Sequence, residues 1–571
     1  MTRSLLRRLR LPIFSMLLVG ALLLASATVP VVAAPPQSSL SSQEVQRLGE
    51  QMYRTGLLPS GKPVKAFVSG DVPVDGTSFT CVSCHLRSGL GSIEGEVITP
   101  ATNGRLLYQP RKPFIPGSEF VPSYSNYAKY LPERPAYTDE SLASLLLTGI
   151  DPTGRSVLKV MPRYDLNDQE MAIMIAYLKS LSDQPPAGVT NHELKFATVI
   201  VEGSDPLAVQ SMLAPLQFSV DRKNSLSTAA GKNSRVARMG YNMLGDLSAL
   251  KFSLSRWTLK GPPGTWRAQL EDYYRKEPVF ALLGGISAGD WEPVHRFCEE
   301  RRIPNLFPVV DYPVLSESDW YTLYFSRGVR QEGEAAARYL HGMAELFKGK
   351  PILHIYREDR RNRELAAGFR SIWQQVGGAK LVEQSLPVGQ RLTAQRLSQL
   401  VSQKRPAAVV LWDDDASLQA LSGLNGHKQR PGMVLTSANS LGKQLWSIPE
   451  RLRPLLYLTY PYRLPQEDAR FDVAVKRVLQ GKPLELYDQR IVRQSYLAGE
   501  VLGKALMMMR GEYYGDYLLD VIGMMSDMYY PLYERVSFGP GQRYASKGCY
   551  IVQLTAGNNP QLERRSEWVI P

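Results

Sequence analysis

The chain has 571 residues, 44% of them hydrophobic and 21% charged. That length exceeds what one hydrophobic core organises, and that composition excludes a disordered or fibrous chain, so several globular domains are expected. The formal charge is +13; Arg3, Arg7, Arg8 and Arg10 lie in a stretch without acids, which leaves about +9 on the remainder.

Those arginines open a targeting segment. Leu11 to about Ala27 is apolar, and Val31-Val32-Ala33-Ala34 places small residues at the spacing read by signal peptidase. Residues 1–33 are therefore expected to be a signal peptide, cut after Ala33 so that Pro35 is not first. The competing reading is an uncleaved anchor, for which the run is short. The expected location is the periplasm. Nucleic acid is no partner there, and a basic surface steers acidic proteins or anionic ligands.

Residues 34–40 form a flexible leader, and residues 41–183 a first domain that ends in a strong helix. Within it, Cys81-Val82-Ser83-Cys84-His85 places two of only four cysteines three apart, with a histidine directly after. Three chemistries use such a pair. A dithiol redox site needs a thioredoxin-like βαβ unit, whereas Val68 to Thr80 reads as loop. A zinc site needs a fourth ligand, and Cys298 and Cys549 are remote in sequence. Covalent haem attachment, with thioethers to Cys81 and Cys84 and with His85 as the proximal iron ligand, fits export, so one haem c is expected.

A second axial ligand would be Met or His, and the first domain has no other histidine. Met171 and Met174 share an apolar stripe with Ile175, Leu178 and Leu181, which predicts core packing. Met161 lies in Val160-Met161-Pro162-Arg163-Tyr164, a proline-stiffened loop before a helix whose start is predicted by a capping box at Asn167 and Glu170. Met161 is therefore the expected sixth ligand, and an electron carrier without enzymatic activity follows. Were that position open, peroxidase-like haem chemistry would be the alternative.

These motifs resemble the monohaem class I cytochromes c over residues 41–183. Gly49 and Tyr53 fit the family's N-terminal helix, and Ile175-Ala176-Tyr177-Leu178 fits its C-terminal helix. The resemblance implies an all-α domain in which those helices cross beside the haem. About 27 residues between Tyr53 and Cys81, and a Pro/Tyr-rich insertion at 103–135, depart from the family's pattern.

Gln184 to about His192, with Pro185, Pro186 and Gly188, is a linker (184–193). Beyond it, apolar runs alternate with amphipathic helices. Strands are predicted at Val279–Leu283, Pro304–Pro308, Pro351–Tyr356, Pro406–Trp412 and Met433–Ser437. Helices are predicted at Trp291–Arg301, Gln331–Phe347, Arg363–Val376 and Ala416–Leu424. Such alternation predicts parallel sheets covered on both faces, and the length predicts two lobes.

This block resembles the type I periplasmic binding proteins, in particular the branched-chain amino-acid receptors of ABC importers, through stretches such as Glu277–Ser287, Arg302–Pro308, Tyr324–Ala337 and Gln494–Leu506. The resemblance implies lobe one at 194–327 plus 458–571, lobe two at 328–457, and a ligand between them. Its expected contacts are Gly285, Ile286, Ser287, Phe307, Trp412, Asp413, Ser437 and Asn439, at strand ends and helix starts suited to an anion. Arg361 falls in Arg360-Arg361-Asn362-Arg363, where amino-acid receptors carry Tyr-Gly, and is expected to read an anionic or other small-molecule ligand. Cys298 and Cys549 would share lobe one, as a disulfide or as buried thiols. His295, His341, His354 and His427 are isolated, with no hydrolytic constellation around them.

The expected function is one-electron transfer to a periplasmic redox partner by a c-type cytochrome joined to a recognition module. The alternative is a solute-binding receptor, served by an ABC permease, whose haem senses redox state.

Overall fold

A computed structural model describes residues 40–69, 71–94, 97–111, 131–184, 186–230, 250–347, 349–509, 511–539 and 541–571. The expected signal peptide, residues 112–130 of the insertion and Pro185 of the linker lie outside the described residues.

The first domain is built on α1 (Ser42–Thr55) and α5 (Asp168–Ser180), with β1 (Lys65–Val68), β2 (Val72–Asp75), α2 (Cys81–His85), β3 (Ser92–Glu94), β4 (Val97–Thr99), α3 (Gly104–Leu107), α4 (Asp139–Thr148) and β5 (Arg163–Asp165) between them. The predicted capping box starts α5: the Asn167 side chain accepts the Glu170 N–H, and the Glu170 carboxylate accepts the Asn167 N–H, each at 3.0 Å. α1 and α5 cross at Gly49, where a Cβ would stand 2.3 Å from the Cβ of Tyr177. No residue with a side chain permits that approach.

The domain is not all helical. β3 and β4 form a hairpin, and β2-β1-β5 forms an antiparallel sheet. The physical reason lies in the long stretch between Tyr53 and Cys81: it holds the β1–β2 hairpin, and β1 then pairs with β5 through Lys65–Asp165, Ala66–Tyr164 and Phe67–Arg163.

The rest of the chain folds into two α/β lobes. Lobe one holds β6 (Glu193–Val201), α6 (Pro206–Ala230), β7 (Lys251–Leu259), α7 (Trp266–Lys276), β8 (Ala281–Leu283), α8 (Glu292–Arg301), β9 (Asn305–Leu306) and β10 (Thr322–Leu323). Its strands lie in the order β10-β9-β8-β6-β7, all parallel. Lobe two holds α9 (Val329–Gly342), β11 (Ile352–Arg357), α10 (Arg360–Val376), β12 (Leu381–Leu386), α11 (Ala394–Lys404), β13 (Ala408–Trp412), β14 (Met433–Ser437) and β15 (Leu456–Tyr460). Fully buried runs such as β13 and β14 need cover on both faces, as parallel sheets supply.

The chain then returns to lobe one for α12 (Gln489–Met509), which packs along α6, and α13 (Gly515–Gly523). It ends in β16 (Tyr550–Leu554) and β17 (Leu562–Arg564). These last strands were expected in lobe one, within 458–571. They extend the lobe-two sheet instead, which runs β12-β11-β13-β14-β15-β16-β17 with β16 antiparallel to β15. β16 is buried along its whole length, and β15 supplies the open edge that covers it. Cys298 and Cys549 accordingly sit in different lobes, both buried and neither in a disulfide. Among the described residues no helix is long and apolar enough to cross a membrane.

Candidate functional site

The Cys81–His85 motif forms a single helical turn, α2, ended by Leu86 in the left-handed region (φ +64°). Tyr53 of α1 donates to the Leu86 carbonyl at 2.8 Å, tying the end of that turn to the helix crossing. His85 is buried, and its Nδ1 lies 2.8 Å from the carbonyl of Pro100. A carbonyl only accepts, so Nδ1 carries the hydrogen and Nε2 keeps its lone pair. Burial lowers the imidazole pKa to about 4, which keeps the ring neutral at any physiological pH. This is the form that ligates a metal.

Met161 is half-buried against the first core, in a turn closed by its own N–H to the Leu158 carbonyl at 2.9 Å. The β1–β2 hairpin holds this loop on two sides. Ser69 donates to the Lys159 carbonyl at 2.9 Å, and β1 pairs with β5 directly after Met161. The Tyr164 hydroxyl stands 3.8 Å from Cys81 Sγ, so the strand after Met161 reaches the attachment turn. Leu158 and Val160, flanking Met161, are 61% and 55% exposed. A neutral buried imidazole with a free Nε2, two cysteines one turn apart, a tethered methionine and adjoining bare apolar side chains fit a covalently attached haem.

The segment after His85 is fastened to lobe one. The Ser88 N–H donates to Asp520 of α13 at 2.9 Å, and the Ser182 hydroxyl donates to the Ser88 carbonyl at 2.8 Å. Leu90 belongs to the core of lobe one. The guanidinium carbons of Arg87 and Arg543 lie 3.9 and 3.7 Å from the Trp320 ring centroid, so both stack on one indole. Arg54 pairs with Asp516 at 3.3 Å and Arg302 with Glu50 at 2.7 Å across the same junction.

Burial raises the Asp520 carboxyl to about 7, and the nearby Asp516 charge adds to this. Its proton is held more tightly folded than unfolded, so it stabilises the fold fully in acid, and that contribution is lost as pH rises from about 4 through 7. Asp520→Asn keeps an acceptor for Ser88 and has no proton to lose. Between pH 5 and 8 the parent should lose about 2–3 kcal/mol more than the variant in denaturant titrations. Parallel losses in the two proteins would show that Asp520 does not titrate in this range.

A cleft of about 370 Å³ opens between the lobes, with Pro308, Val310 and Asp311 on one side and Glu332, Arg361 and Asn439 on the other. Tyr462, Asp488, Arg490 and Tyr533 also line it. Arg361 stands in the first turn of α10 and Arg490 in that of α12. α10 lies tight on α9: a Cβ on Gly333 would stand 2.0 Å from the Leu365 carbonyl. The Glu332 carboxylate is buried and accepts from Ser437 Oγ (2.7 Å), Asn439 Nδ2 (2.8 Å) and Thr459 Oγ1 (2.7 Å).

Of the residues expected to line the cleft, Arg361 and Asn439 do so. The others are placed elsewhere. Phe307 is core, stacked on Phe325 at 5.1 Å, and Trp412 is fully buried. Gly285 packs beneath Trp291, Ile286 bridges strands, and Ser287 closes its own turn through the Asp290 carbonyl at 3.0 Å. Ser437 is occupied by Glu332, and Asp413 is locked to Arg357 at 2.5 and 2.9 Å. Asp311, Glu332, Tyr462 and Arg490 line the cleft without a motif to announce them. The only local signal is the position of Arg490 at the start of a long helix. His295 is engaged by Tyr324 and Asp319, and His354 by Glu383.

No protein-family profile matches the chain, and no curated protein sequence does. Among solved structures, a branched chain amino acid ABC transporter from Thermus thermophilus with bound valine aligns over 66% of this chain and 97% of its own, at 12% identity and a TM-score of 0.47. An ABC transporter substrate binding protein from Aeropyrum pernix aligns over 66% and 96%, at 13% identity and 0.47. A fatty acid ABC transporter substrate-binding protein from Thermomonospora curvata aligns over 68% and 97%, at 14% identity and 0.44. Likenesses at these values carry no functional weight, and the two-lobed architecture stands on the strand orders given above.

Proposed function

We propose that this chain is a periplasmic solute-binding receptor of the kind that serves ABC permeases, carrying one covalent haem c on a domain docked to lobe one. The observation that carries the reading is the cleft. It is lined from both lobes, which the chain connects three times, so a bound solute would join two rigid bodies. Calorimetric titration of the full secreted chain with a broad panel of small solutes should give single-site binding. A panel without a binder sinks the receptor reading.

Haem attached through Cys81 and Cys84 supplies one-electron transfer. This chain's part is to hold His85 neutral with Nε2 available, to present Met161 on a braced loop, and to fix the His85 segment on lobe one. That fixed docking favours a second reading, in which the two-lobed module positions a one-electron carrier before a redox partner. Met161→Ala should abolish the weak methionine–iron charge-transfer band of the oxidised protein while covalent haem content stays unchanged. An unaltered band would remove Met161 from the ligand set.

A further inference from the structure

Two guanidinium groups converge in the cleft on one carboxylate and close on neither of its oxygens. Arg361 Nη1 stands 3.7 Å from Asp311 Oδ2, and Arg490 Nη1 stands 3.5 Å from Asp311 Oδ1. Closed guanidinium–carboxylate pairs sit at roughly 2.7–2.9 Å. Arg361 Nε also makes a long hydrogen bond, to Ser440 Oγ at 3.4 Å. The same chain forms tight pairs where it needs structural ones, as at Arg357–Asp413 (2.5 Å) and Arg493–Asp468 (2.7 Å). The contacts to Asp311 are therefore loose by comparison, while Arg490 also meets the Tyr462 hydroxyl. It also spans the lobes: Arg361 comes from α10 of lobe two, whereas Asp311 and Arg490 come from lobe-one segments.

The other acids of the wall are committed elsewhere. Glu332 accepts three hydrogen bonds within lobe two, and Asp488 caps α12 through the Ile491 N–H at 3.0 Å. The rings of Tyr462 and Tyr533, 6.1 Å apart between centroids, line one wall, with the Tyr462 hydroxyl against Arg490 and the Tyr533 hydroxyl accepting from Gln494.

We infer that the cleft takes a small carboxylic acid, whose carboxylate lies between Arg361 and Arg490 in the place that Asp311 holds when no solute is bound. Asp311 is an internal competitor: it keeps the two cations from repelling each other across an empty cleft and gives way to a ligand that can approach both more closely. A carboxylate bridging the two arginines ties lobe two to lobe one, whereas an amide of the same shape offers no charge to either.

This inference rests on the receptor reading, and the test separates the two. Calorimetry on the full secreted chain would use benzoate and butyrate as probes against benzamide and butyramide. The acids should bind and the amides should not. Arg361→Gln and Arg490→Gln should each weaken the acids by at least about thirtyfold. Asp311→Asn should tighten them by about tenfold, a gain that damage to the fold cannot produce. Equal binding of acids and amides overturns the carboxylate class and leaves the receptor standing. Unchanged or weaker acid binding by Asp311→Asn overturns the competitor role of Asp311. Failure of every acid to bind Asp311→Asn overturns the inference, and failure of the broader panel as well removes the receptor reading beneath it.

Discussion

Asp413→Ala should lower the stability of lobe two by about 3–5 kcal/mol, because it strands a buried arginine without its counter-charge. Asp413 directly follows β13 with a side chain 1% exposed and takes both arms of the Arg357 guanidinium, at 2.5 and 2.9 Å. It also accepts the Asp414 N–H at 2.9 Å and the Ser417 hydroxyl. Arg357 finishes its hydrogen bonding on the carbonyls of Gln390 and Pro387, at 2.8 and 3.3 Å. The pair thus locks the end of one strand to the loops beside it. Removing one member leaves the other ionised in a place without water, the costly direction of such a change. Urea titration would show the loss. If binding were the role of Asp413, as its place at a strand end suggests from sequence alone, the alanine variant would melt like the parent and fail only to bind.

A chain with Cys81→Ser and Cys84→Ser should contain no covalent haem, so that haem staining of a denaturing gel disappears altogether. The two thiols are the only ones placed to form thioethers beside His85, since Cys298 and Cys549 are buried in the lobes. The first domain should then lose stability as well. Leu158 and Val160 stay in water, and the Met161 loop keeps its hairpin contacts and its packing on the first core without the haem. The lobes should still melt cooperatively. Staining that survives the double substitution would place the haem elsewhere, and stoichiometric zinc in the parent protein would replace it.

What the sequence discloses, and what it withholds, follows from how far apart the interacting residues lie. Cys81, Cys84 and His85 fall within five residues, and Asn167 with Glu170 is a pattern within one helical turn, so both are readable directly. Strands β8, β9, β11, β13 and β14 are readable because buried parallel strands are short unbroken apolar runs between amphipathic helices, whereas β10 has two residues and β12 carries polar ones. The pairing of β1 with β5 is not readable: a hairpin of four-residue strands has no period of its own, and its partner lies about a hundred residues away. The final strand misleads for a related reason. A run such as Tyr550–Leu554 says that it is buried but not in which sheet. Local texture also misplaces the cleft. Strand-end turns at Ser287, Trp412 and Asp413 look available, yet each is consumed by packing or by a neighbouring partner. The cleft is assembled from segments near 311, 361, 439, 462 and 490, and their meeting is a property of the crossings between lobes.

The bond between Ser88 and Asp520 joins residues 432 positions apart. On the proposed periplasmic reading, the chain would emerge from its N-terminus and fold domain by domain, so the cysteine turn would reach the periplasm long before α13 could receive the segment behind it. The proposed haem attachment would then have an interval in which the motif is reachable and its flank unanchored. Once α13 arrives, Leu90 enters the core of lobe one and the junction closes. On that reading maturation would take an order, cofactor first and receptor second, and a chain that missed its haem would complete lobe one around an unfinished neighbour.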